Sequence, residues 1–268
     1  MKKIMTTSLL AMCAVMGTAG ASPLWHGGTF DIGYRPTAGN FFADTGAAFQ
    51  TGMTEDGGSM TDFASGETGQ MSLDMMYGIT DMFAVTFDIG NRRDIGGGLG
   101  LAIASPNVGL NWRVLNDSDI SIELLAKYGL AWTTEAVAPN DRIGQNNIQA
   151  GGRIFGLVGH FQWGFDALLQ YVFVEPDDMM NLNMLVQGQY NFDKSLALYT
   201  EFGYDIVGID QDIMLYDRYL NVGCIYNITS TAAVQPYVGY HFASANSDNS
   251  NTAPDNYWQI GGKFAVQF

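Results

Sequence analysis

The chain has 268 residues, of which 47% are hydrophobic, 13% aromatic and only 15% charged, with 33 glycines and a formal net charge of −15. Its 27 acidic side chains against 12 basic ones argue against nucleic acid and anionic lipid headgroups as partners. A chain this acidic, yet this apolar and sparsely charged, also does not suit a protein bathed in water on every side.

Lys2 and Lys3 precede an apolar stretch from Met5 to Val15, and the small residues Ala19, Gly20 and Ala21 follow. That layout predicts a secretory signal peptide, residues 1–21, cut before a mature domain of residues 22–268. Removing the two lysines leaves 10 basic residues against 27 acidic ones. Cys13 sits in LAMC, but bulky Met12 stands where a lipidation site wants a small residue. Without Cys13 the mature chain keeps only Cys224, so it has no internal disulfide. Beyond the leader no apolar run reaches ~18 residues, so no transmembrane helix is predicted.

Phe30 to Arg35 reads as a first strand, and Pro36 to Gly69, rich in Gly, Thr and acid, as a long first loop. That loop either stays outside the membrane or folds inward as a constriction. From there the chain repeats a hairpin pattern of period two. Met71, Leu73, Met75, Tyr77 and Ile79 share one face, and after a short turn Phe83, Val85, Phe87 and Ile89 do the same. Val108 to Val114 leads through Asn116 and Asp117 to a strand from Ile120 to Trp132. Further hairpins run from Gln145 to Val174 around Gly159 and His160, from Leu182 to Asp205 around Asp193 to Ser195, and from Tyr219 to Phe242 around Thr229 to Thr231. The last segment, WQIGGKFAVQF, sets Trp258, Ile260, Phe264, Val266 and Phe268 on one face and Gln259, Lys263 and Gln267 on the other.

About twelve strands result, joined alternately by short and long connections. Backbone groups in lipid must be satisfied by closure, which predicts an all-β fold: a single antiparallel up-and-down transmembrane β-barrel. Short turns on the periplasmic side, long loops outside and an even strand number put both termini in the periplasm.

The signal peptide, the alternating strands and the aromatic final strand together resemble the outer-membrane β-barrels of Gram-negative bacteria, over essentially the whole mature chain. The segments YGITDMFAVTF and SPNVGLNWRVL are similar to hairpins of small outer-membrane transporters, including the group named after a phenol-degradation pathway. The resemblance implies an outer-membrane location among lipid, and it implies that Phe264, Val266 and Phe268 are an assembly signal read by the barrel-assembly machinery.

With the apolar face toward lipid, the lumen receives Asp31, Arg35, Asp74, Asp88, Arg113, Glu123, Lys127, Arg153, Asp166, Glu201, Asp205, His241 and Lys263. Hairpin counting sets Arg153 opposite Asp166 as an ion pair, and Asp74 opposite Asp88 as two facing carboxylates that either raise one pKa or recruit a cation, unless Lys127, Arg113 or Lys263 crosses the lumen and neutralises both. It also sets Tyr219 opposite His241, which predicts a hydrogen bond between them. Glycines on the inward face either keep the lumen open or let strands bend. No catalytic, metal or cofactor motif is found: GGGLG at Gly96 to Gly100 has no helix after it, and His241 and Ser244 fall on opposite faces. A channel for small polar solutes with a modest cation preference is the function expected. A non-conducting structural or surface-interaction barrel is the alternative, and an outer-membrane hydrolase is less favoured.

Overall fold

The computed structural model describes residues 30–52, 69–91, 106–117, 119–130, 146–173, 178–211, 214–245 and 256–268. The leader 1–21, most of the first long loop and GGGLG lie outside the described residues. Where side chains alternate between apolar and polar, the chain is extended, because only a pleated strand separates two such sets onto two faces. The strands are β1 (Phe41–Gly52), β2 (Gly69–Gly78), β3 (Phe83–Asn91), β4 (Asn107–Asn116), β5 (Ile120–Gly129) and β6 (Asn147–Val158). The second half comprises β7 (Phe161–Val172), β8 (Met179–Asn191), β9 (Leu196–Val207), β10 (Leu215–Thr229), β11 (Ala232–Ala245) and β12 (Tyr257–Gln267). Each pairs antiparallel with its sequence neighbours, and β1 pairs with β12 to close the barrel.

Closure leaves no sheet edge, which is the condition for a sheet to survive in hydrocarbon. At the seam Phe42 stands opposite Gln267, and Thr51 opposite Trp258. Phe268 extends the seam: Phe41 N donates to its carbonyl (3.0 Å), and its own N–H donates to Phe41 O (2.8 Å). The rings of Phe41 and Phe268 stack at 6.1 Å.

The burial pattern is that of a water-soluble protein turned inside out. Gln162, Gln189 and Glu123 face inward at 0%, 1% and 2% exposure, while outward Leu110 and Ile260 are 54% and 50% exposed. Ordinary soluble proteins do not display so continuous an apolar surface, and here it forms the lipid-facing band of a transmembrane barrel.

The five hairpins turn where the sequence pattern places their turns, but the first strand does not lie at Phe30 to Arg35. Alternation there is interrupted, because Gly33 has φ +76° and Tyr34 N donates to Asp31 O (2.8 Å), a tight turn. The first strand is instead FFADTGAAFQTG, inside the segment expected to be loop. Small residues on both faces of β1 blur its period, and β-propensity alone is weak where neighbours decide. The ladder from β12 on one side and β2 on the other makes it a strand.

Candidate functional site

Displaced from the sheet, residues 30–35 cross the lumen as a bar at its short-turn end. Arg35 Nη1 donates to Met82 O in the β2–β3 turn (2.9 Å), and Arg35 Nη2 lies 2.6 Å from Glu123 Oε1 of β5. Arg113 of β4 donates to the same oxygen through Nε (3.0 Å) and to Gly33 O through Nη2 (2.8 Å). Ile32 packs on Phe155 of β6, and its N–H donates to Gln162 Oε1 of β7 (3.1 Å). Gln189 of β8 donates to Asp31 (2.7 Å), and Phe30 seats against Ala197, Tyr199, Ile225 and Ala233 of β9 to β11.

Next to the bar lies a cavity of about 260 Å³. Its lining includes Asp44, Asp74, Asp88, Lys127, Arg153, Glu201 and Lys263. The register places Asp44 opposite Asp74 and Asp74 opposite Asp88, so three carboxylates form a row across β1, β2 and β3. Like charges directly opposite are unfavourable unless a counter-charge stands alongside. Lys127 Nζ supplies one at 2.6 Å from Asp88, whose other oxygen accepts from Asn107 Nδ2 (2.6 Å). At the other end of the row Lys263 lies between Gly46 and Gln235 in register. Asp44 is not legible as a lumen residue in the sequence, because small side chains on both faces of β1 blur its alternation. The Phe42, Asp44, Gly46, Ala48 row was the signal available.

The remaining charges are mostly satisfied in place. Arg153 donates to Asp166 from Nε (2.9 Å) and approaches it with Nη2 (2.8 Å). Glu201 accepts from Gln187 and Asn221, both at 3.2 Å. Asp205 stands between Asn183 and Asp217 in register. His241 makes a different contact with Tyr219 from the hydrogen bond expected: its ring stacks between Tyr219 (5.0 Å) and Tyr257 (4.2 Å). Its Nδ1 lies 2.9 Å from Asp217 and its Nε2 3.2 Å from Gln259. Ser244 instead accepts from Arg218 (3.1 Å), so these side chains do not form a Ser-His pair. At the long-connection rim Met180 N–H donates to Asp210 (2.9 Å) and holds that carboxyl below the usual range.

Several inward glycines act as seats for rings on the neighbouring strand. A Cβ at Gly203 would meet the Tyr219 ring at 2.0 Å, one at Gly223 the Tyr199 ring at 2.5 Å, and one at Gly261 the Tyr237 ring at 2.5 Å. The space these glycines leave is therefore filled by aromatic groups lying along the wall.

No protein-family model matches the chain, and no curated protein is significantly similar to it. Solved structures are similar in fold. An outer membrane channel of Pseudomonas putida F1 matches at 12% identity and a TM-score of 0.63, covering 86% of this chain and 96% of that one. The NanC porin matches at 9% identity and a TM-score of 0.53, and the KdgM porin in complex with disordered oligogalacturonate at 13% and 0.52. Each of these covers 83% of this chain and 98% of its own. The chain has the fold of the Gram-negative outer-membrane β-barrel channels.

Proposed function

We propose that the protein is an outer-membrane channel for passive passage of small polar solutes, with a modest cation preference, exported by a cleaved leader at residues 1–21. The observation that carries this reading is the cavity of about 260 Å³, with Asp44, Asp74, Asp88, Lys127, Glu201 and Lys263 in its lining, inside a barrel whose outer face is apolar. Acids outnumber bases around it: Asp31, Asp44, Asp74, Asp88 and Glu201 line it against Lys127, Arg153 and Lys263. The channel and porin names of the similar folds support passage as the role. Single-channel recording of the purified protein in planar bilayers is expected to give small, discrete conductance steps. A protein that stays silent even without residues 30–35 would favour the second reading, a non-conducting structural barrel, which the buried bar across the short-turn end supports.

The start of β1 and the end of β12 share that rim, and we place it in the periplasm. A tag inserted at Gly57 should label on intact cells, and one at Gly159 should not. The opposite pattern would invert the orientation.

The outward row Phe264, Val266 and Phe268 is proposed to be read by the assembly machinery as well as to close the seam. Deleting Phe268 removes two backbone hydrogen bonds, each worth about 1 kcal/mol net. It should lower the amount of heat-modifiable barrel in the membrane while export to the periplasm continues. Normal barrel levels would rule out that role.

A further inference from the structure

Residues 30–35 hold their place across the lumen without belonging to the sheet. Their hydrogen bonds to the wall run through side chains: Gln162 to Ile32 N, Arg113 to Gly33 O, and Arg35 to Met82 O. The β1–β12 ladder closes the barrel without them. A segment attached in this way can leave the lumen while every strand pairing stays intact.

The attachment is electrostatically lopsided. One oxygen, Glu123 Oε1, receives both Arg35 (2.6 Å) and Arg113 (2.9 Å), with all three side chains 2–3% exposed. A single carboxylate thus balances two guanidinium groups. Breaking a buried pair by removing one partner is strongly destabilising, because the other charge is left uncompensated. Arg113 has further anchors on the wall, donating to Asn116 (3.4 Å) and standing over the Phe155 ring (5.3 Å). Arg35 belongs to the bar: apart from Glu123 it donates to Met82 O in the β2–β3 turn (2.9 Å), and its Nε has no hydrogen-bond partner among the described residues. If the shared carboxylate loses its charge, Arg35 is therefore the group that moves.

Building on the channel reading, we propose that the bar is an autoinhibitory gate and that Glu123 is its latch, tying Arg35 of the bar to Arg113 of the wall. The gate sets conductance from the short-turn end, and opening it requires only the side-chain contacts of residues 30–35 to part.

The test compares four full-length or near-full-length proteins in planar bilayers in KCl, each first shown to be folded by heat-modifiable migration. They are the unmodified protein, Glu123→Gln, Arg35→Met and a variant lacking residues 30–35. The deletion should raise unit conductance several-fold. Glu123→Gln should switch between the unmodified level and the deletion level, because the bar is loosened but still attached. Arg35→Met reaches the same state from the other partner and leaves the Arg113 and Glu123 pair neutral, so it carries the test if Glu123→Gln folds poorly. If the deletion conducts no better than the unmodified protein, the bar is not the gate. If the deletion conducts better while both point variants stay at the unmodified level, the Glu123 latch is wrong and the channel reading stands. If none of the four conducts, the channel reading and the gate fall together.

Discussion

Gly151→Val is expected to abolish the folded barrel, while Gly152→Val, one residue along β6, leaves it close to normal. A Cβ at Gly151 would lie 2.2 Å from Ala167 O and 2.9 Å from Leu168 Cα, both backbone atoms of β7 that cannot rotate away. The Cβ position at Gly152 meets nothing nearer than 3.6 Å, and that residue faces lipid. Overpacking of this kind costs roughly 1–3 kcal/mol when side chains can adjust. It costs more here, because relief requires β6 and β7 to separate and break their ladder from Asn147 to Val158. The ratio of folded to unfolded bands on unheated gels, together with urea midpoints in detergent, measures the difference. Equal behaviour of the two variants would mean that the close approach of β6 and β7 is not required for folding.

The second large effect is on ion selectivity. Replacing Asp44 and Asp74 together by Asn should lower the cation preference about threefold, and replacing Asp56 and Asp62, between β1 and β2 in the sequence, should change it little. A unit charge at ~8 Å contributes roughly 0.5 kcal/mol in water, more beside a low-dielectric wall and less after screening. Losing negative charge from this pair acts on cation attraction and anion repulsion at once. Asp88 is left in place because Lys127 already neutralises it at 2.6 Å. The preference of the unmodified protein should also weaken as salt rises and the Debye length falls from ~30 Å at 0.01 M to ~3 Å at 1 M. Reversal potentials across a KCl gradient report both effects. Anion preference in the unmodified protein would refute the charge argument.

Five hairpins were legible because each strand separates an apolar row from a polar one, as in Tyr77 and Ile79 against Asp74. Turn length then leaves one register, so the pairings Arg153 with Asp166 and Asp74 with Asp88 could be counted residue by residue. The sequence by itself determined a closed antiparallel barrel with its polar side inward, since period two and the absence of an apolar helix leave few other ways to satisfy the backbone in lipid. Only the tertiary structure decided which segment is β1. Ala43, Thr45 and Ala47 carry too little hydrophobic contrast to declare a strand, and the ladders from β12 and β2 supply what the side chains do not. The same displacement turned Phe30 to Arg35 from wall into bar and brought Asp44 into the carboxylate row. The contacts of the bar, such as Arg35 with Glu123 and Asp31 with Gln189, join residues 88 and 158 positions apart through the lumen, a separation that no local periodicity encodes.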